Sequence, residues 1–188
     1  MQFLRLHKIE KLNVLNNQLV RFFLRFFVLL SAWFVCYNLL LKPARVIDKP
    51  LTNFLAKAVV KVINYVAPPT PSLAYTENAV DKCTYLTQNN KEIFAIFDYC
   101  NGVDLMFIYV GIIFLLPYTI KRKVAFSIGG LIAINIMNVI RITCLYLIYV
   151  YNRNAFDFSH HYLFTLVMYL LIFYGWLLYT KNQKHTNI

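Results

Sequence analysis

The run VAFSIGGLIAINIMNVIRITCLYLIYVY, residues 124–151, decides the fold class. A helix of about 20 residues crosses the roughly 30 Å hydrocarbon core of a bilayer, and this run is longer than that. Its apolar character is broken on one side only. Asn135, Asn138 and Arg141 recur every three residues, so they share one helical face, with Cys144 the next step along it. Counted from Val124, Arg141 lies about 27 Å along the helix at 1.5 Å per residue, well away from the starting end. An arginine at such depth costs about 2.5 kcal/mol or more unless it is paired or hydrated. The stripe therefore points to a buried polar cavity.

The rest of the chain fits a membrane protein. Hydrophobic residues make up 60% of it and charged ones only 14%, far from the balance of a soluble domain. Residues 22–41, 105–120 with their flanks, and 162–179 are three further apolar runs, giving a count of about four transmembrane helices. The net charge of +11 does not indicate nucleic acid, because of where the charges fall. Arg5, Lys8, Lys11, Arg21 and Arg25 precede the first span, Lys121, Arg122 and Lys123 separate the second from the third, and Lys181 and Lys184 follow the fourth. The positive-inside rule places these three clusters, and both termini, in the cytoplasm. The connections 42–99 and 152–160 then face outward. The amphipathic N-terminal segment precedes a span too long for an ordinary signal-peptide core, so it is retained as part of the protein.

Within the long outer connection, Leu51, Phe54, Leu55, Ala58, Val59, Val62 and Ile63 recur at helical spacing with Lys57 and Lys61 between them. This predicts an amphipathic helix lying in the membrane interface over 50–66, ended by the PPTP of 68–71. LAYTENAVDKCTYLT and EIFAIFDY flank a polar QNNK turn and predict a short extracytoplasmic β-hairpin that feeds into Cys100. The expected fold is an all-α polytopic membrane protein with this helix and hairpin added, in a single integral membrane domain over 1–188. The four cysteines lack the spacing of a disulfide scaffold or a zinc site, so no metal and no cofactor is expected.

Three residue types converge on the outer layer: the Cys100 thiol at the start of the second span, Arg141 near the outer end of the third, and His160 and His161 at the start of the fourth. This set suits acyl transfer by a cysteine nucleophile, with a histidine managing protons and a cation favouring the thiolate or the developing oxyanion. Arginine stays protonated and cannot be the base. Other readings stand beside it. Cys100 could pair with Cys83 in a disulfide, Arg141 could neutralise Asp104 or Asp157 or reach toward head groups, and the histidines could be interfacial anchors. Those readings describe a non-catalytic scaffold, or a protein that binds lipid or a partner helix. Cys36 and Cys144 are read as membrane-buried small residues, and the many Tyr and Phe residues as interfacial belts and lipid-facing packing.

The order CNG at 100–102, NVIRI at 138–142 and SHHYLFT at 159–165 resembles the exosortase/archaeosortase family of membrane cysteine transpeptidases. The resemblance covers about 91–176, and the small size is similar to the compact exosortase F type of Bacteroidetes. It implies that Cys100 is the nucleophile, Arg141 the stabilising cation, and a histidine the proton carrier. The family pattern of a small residue four positions on and an aromatic eight on favours His161, followed by Thr165 and Tyr169, over His160, followed by Phe164 and Met168. Asn138, Gly102 and Asn101 are implied to bind substrate or to orient the site. The sequence departs from the family at Asn101, where serine is more usual, and in lacking the usual glycine of the last motif. The implied substrate is a membrane-anchored protein with a C-terminal sorting signal: a short motif such as PEP, a transmembrane helix and a basic cluster. It would be cut at the outer face of a bacterial cytoplasmic membrane through a thioester on Cys100 and passed to an acceptor lipid, an amine or water.

Overall fold

The computed structural model describes residues 2–66 and 72–181. Helix α1 (Gln2–Cys36) runs on through a π-turn at Tyr37–Leu41 and one further turn to Ala44. Helix α2 (Asp48–Val66) follows, then strands β1 (Ala74–Asn78), β2 (Cys83–Gln88) and β3 (Lys91–Phe97). A 3-10 turn at Asp98–Cys100 leads into α3 (Val103–Leu115), then α4 (Ile120–Tyr151) and α5 (Phe164–Lys181).

Among the described residues, three helical segments are long and apolar enough to cross a membrane: Leu19–Ala44, Ile120–Tyr151 and Arg153–Lys181. The second expected span is cut short. Leu116 takes an extended conformation ahead of Pro117, as the residue before a proline is pushed to do, so α3 stops after 13 residues. That gives it about 20 Å, less than a bilayer core.

The molecule is mostly helical with a small sheet, rather than all-α with a hairpin. The QNNK turn does join β2 to β3, and Asn89 and Asn90 both take the positive φ that a tight hairpin turn demands. The segment expected as the first hairpin strand breaks into two, giving an antiparallel sheet of order β1-β2-β3. The break is made by Asn78, whose side-chain oxygen accepts the N–H groups of Val80 and Asp81 and turns the chain.

The 50–66 helix forms as α2, but its main apolar face does not lie on lipid. Leu55, Val59 and Ile63 are buried against Leu86 and Ile96 of the sheet and Ile142 and Tyr146 of α4. The sheet needs an apolar cover on one face, and α2 supplies it. A second apolar stripe of α2 that includes Phe54 and Val62 stays exposed. The 68–71 stretch expected to end this helix lies outside the described residues.

Helix α4 is the axis of the structure. At 32 residues it is about 48 Å long, more than a bilayer core requires. Its C-terminal part enters the core with α2 and the sheet, while Ile134, lower down, joins Tyr109 and Ile113 of α3 and Met168 and Ile172 of α5 in a second core. The stretch of α4 between the two cores carries Asn138 and Arg141. Helix α1 attaches at the side through Trp33, which stacks on Phe107 at 4.0 Å and donates to Asp104 at 3.2 Å.

Candidate active site

The turn that presents Cys100 is built from both sides. Gly102 adopts φ +85°, a left-handed conformation that a side chain would strain, and a Cβ there would come within 3.3 Å of the Asn138 amide. Asn138 is fully buried, and its Nδ2 donates to the carbonyls of Cys100 at 3.1 Å and Asn101 at 2.9 Å. Asn101, also buried, accepts the N–H of Val103 through Oδ1, capping the start of α3, and donates through Nδ2 to Asp48 at 2.8 Å. Asn138, Asn101 and Gly102 thus set the conformation of the cysteine turn.

Sequence reading missed the second half of this support. Arg45 makes a bidentate contact to Asp98, two residues before Cys100, with Nε–Oδ2 at 2.7 Å and Nη2–Oδ1 at 3.1 Å. Thr52 adds a hydrogen bond to the same carboxylate, and Asp48 also accepts the Tyr37 hydroxyl. Arg45 and Lys49 meet Glu77 of β1 as well. Proximity to Asp98 holds the Arg45 guanidinium above its ordinary pKa, and hydrogen bonds from Asn53 and Lys49 hold the Glu77 carboxyl below its own. The only sequence signal was a few charges clustered outside the spans. Their partners lie tens of residues away, at no regular spacing.

Cys100 Sγ lies 3.9 Å from His160 Nε2. Both line a cavity of about 130 Å³ together with Arg141, Tyr99, Phe97 and Phe156. The His160 ring is stacked parallel to Phe156 at 5.7 Å, which fixes its plane. The structure thus brings Cys100, Arg141 and His160 together, and not His161, which is exposed. The preference for His161 comes from the family pattern of a small residue four positions on and an aromatic eight on, which does not say which ring faces inward. Ser159–Leu163 forms a π-turn, and its wider winding turns the His160 ring to the cavity.

Burial pushes the Cys100 thiol above its ordinary pKa, and the charge and hydrogen bond of Arg141 act the other way without cancelling that rise. The resting group at neutral pH is therefore the thiol, and a nearby base is needed to activate it. Arg141 Nε is buried with no hydrogen-bond partner among the described residues, and Arg141 lines the same cavity as the thiol. Arg141 takes part in none of the ion pairs formed by the described residues, so neither Asp104 nor Asp157 neutralises it. Asn135 is not part of the site: it bonds back to Leu131 of its own helix. All four cysteines are free, so the Cys83–Cys100 disulfide is not formed, and Cys83 is buried in the sheet opposite Phe97. No group of three metal-ligating side chains occurs among the described residues.

This geometry accompanies a match over most of the chain: the sequence model described as transmembrane exosortase (Exosortase_EpsH) covers residues 14–180. The chain belongs to the transmembrane exosortase family. No curated protein and no solved structure matches it. The family match extends well beyond the 91–176 core and takes in α1 from residue 14 onward, α2 and the sheet. The segments 100–102, 138–142 and 159–165, on which the resemblance rests, contribute Cys100, Arg141, Ile142 and His160 to the cavity.

Proposed function

We propose that this exosortase is a membrane cysteine transpeptidase or peptidase that cleaves C-terminal sorting signals of membrane-anchored proteins. The observation that carries the reading is the Cys100–His160 contact in a cavity shared with Arg141. His160 accepts the thiol proton as Sγ attacks the scissile carbonyl carbon. Arg141 donates through its free Nε to the oxygen on which negative charge develops. The C–N bond then breaks, His160 returns the proton to the leaving amine, and the acyl part stays on Cys100 as a thioester. An acceptor amine or lipid hydroxyl, or water, attacks that thioester and restores the thiol. Asn138, Asn101 and Gly102 hold the nucleophile and do not contact substrate. The whole chain works as one integral domain of a bacterial cytoplasmic membrane, with the site at the outer face and the basic clusters inside.

The test is co-expression with a protein carrying a short motif, a transmembrane helix and a basic cluster at its C-terminus. Cys100→Ala and His160→Ala should leave this substrate uncleaved, whereas His161→Ala and Cys83→Ala should process it. Full processing by Cys100→Ala would end the reading.

A further inference from the structure

The cavity beside Cys100 is lined by four successive residues of β3: Phe94, Ala95, Ile96 and Phe97. Successive side chains of a strand point to opposite faces, so a cavity that touches all four lies against the edge of the strand and not on one face. That edge is open: β3 pairs only with β2 among the described residues. The direction of its backbone groups follows from the ladder. Asp98 N–H donates to the Lys82 carbonyl at 3.1 Å, so by alternation Ile96 and Phe94 also turn their groups toward β2. Ala95 between them turns its N–H and C=O outward, and Phe97 its N–H. The opposite wall of the slot is made by Arg141, Leu145, Phe156 and His160.

We propose that the substrate segment N-terminal to the scissile carbonyl binds as a fourth strand on the open edge of β3. This rests on the reading of Cys100 as nucleophile. The added strand runs parallel to β3. Cys100 follows the C-terminal end of β3, so a chain whose last carbonyl meets Sγ must run back along the strand in the same direction. Ala95 supplies the main pair of backbone hydrogen bonds, in the manner of peptide recognition by strand addition. The small apolar slot admits one uncharged side chain at a time. Holding the acyl side in this way keeps the thioester in place while the leaving segment departs.

The experiment compares two reagents with the same reactive group on the full-length protein in detergent: benzyloxycarbonyl-Ala-Val-Ala chloromethyl ketone and chloroacetone. Each forms a thioether with Cys100 and releases chloride. With each rate divided by that for glutathione, the peptidyl reagent should be about tenfold faster, the gain expected of two backbone hydrogen bonds. Ala95→Pro removes the outward N–H and no bond to β2, a position where edge strands accept proline. It should abolish the advantage, read as the ratio of the peptidyl rate to the chloroacetone rate on the same variant. Methylating the valine nitrogen of the reagent should do the same on the unmodified protein, independently of whether the proline variant folds. An advantage that survives N-methylation, or that is absent from the start while chloroacetone labels Cys100, overturns the strand-addition proposal alone. A Cys100 inert to both reagents overturns the nucleophile reading and this proposal with it.

Discussion

Asn138→Leu is the sharpest test of how the cysteine turn is held. Leucine keeps the branched outline and the number of side-chain heavy atoms of asparagine and is the bulkier of the two, so the substitution removes hydrogen bonds without opening space. Two carbonyls, the part-buried one of Cys100 and the buried one of Asn101, each lose their amide donor. Leaving a buried polar group unpaired costs about 1–3 kcal/mol, or roughly 2–6 kcal/mol for the two. One contribution acts the other way: Asn138 Oδ1 is itself buried without a partner, and removing it recovers about 1–3 kcal/mol. The net loss is about 1–3 kcal/mol, concentrated in the turn rather than spread over the helices. The assay combines denaturant melts of the purified protein in detergent with the rate at which chloroacetone labels Cys100. A lowered midpoint together with a changed labelling rate is expected. A variant with unaltered stability and unaltered labelling would refute the view that this amide clamps the turn.

The labelling rate of Cys100 should keep rising with pH above the range of an ordinary cysteine, because burial raises its pKa and only the thiolate reacts. Arg141→Met removes both opposing influences, so the thiol should hold its proton more tightly still. Labelling at a fixed pH should then slow, tenfold for a pKa higher by about one. The sign for stability follows: the folded state holds this proton more tightly than the unfolded chain. The contribution is complete below the ordinary cysteine pKa and is lost as pH rises through the folded value, which alkaline melts would show. The adjacent glycines of α4 should part ways in thermal melts. A Cβ at Gly130 would strike the ring of Tyr109, so Gly130→Ala should cost about 1–3 kcal/mol. A Cβ at Gly129 meets nothing within 4 Å, so Gly129→Ala should gain up to about 1 kcal/mol in helix propensity.

Much of this protein is legible in the order of its residues. Long apolar runs and basic flanks require a membrane protein, since a helix of that length and composition has no better solvent than lipid. The every-third-residue polar stripe on α4 led to Asn138 and Arg141, because helical periodicity is local and can be counted. Asn135 shares that stripe yet turns back to its own helix, and spacing alone cannot say which way an amide points. Cys100 was legible as a thiol placed just before an apolar helix. Three matters were settled only by tertiary structure. That His160 and not His161 lines the cavity with Cys100 depends on the π-turn at Ser159–Leu163, which the family pattern of neighbouring residues does not reveal. The partner of α2 depends on competition between the sheet and lipid for one apolar face, and the sheet's own need for cover decides it. The part-buried Arg45–Asp98 pair and the buried Asp48–Asn101 hydrogen bond each join residues about 50 positions apart, and such contacts exist only once the chain has folded. Local order named the groups that could do chemistry, and long-range packing determined which of them meet and how firmly the Cys100 turn is held.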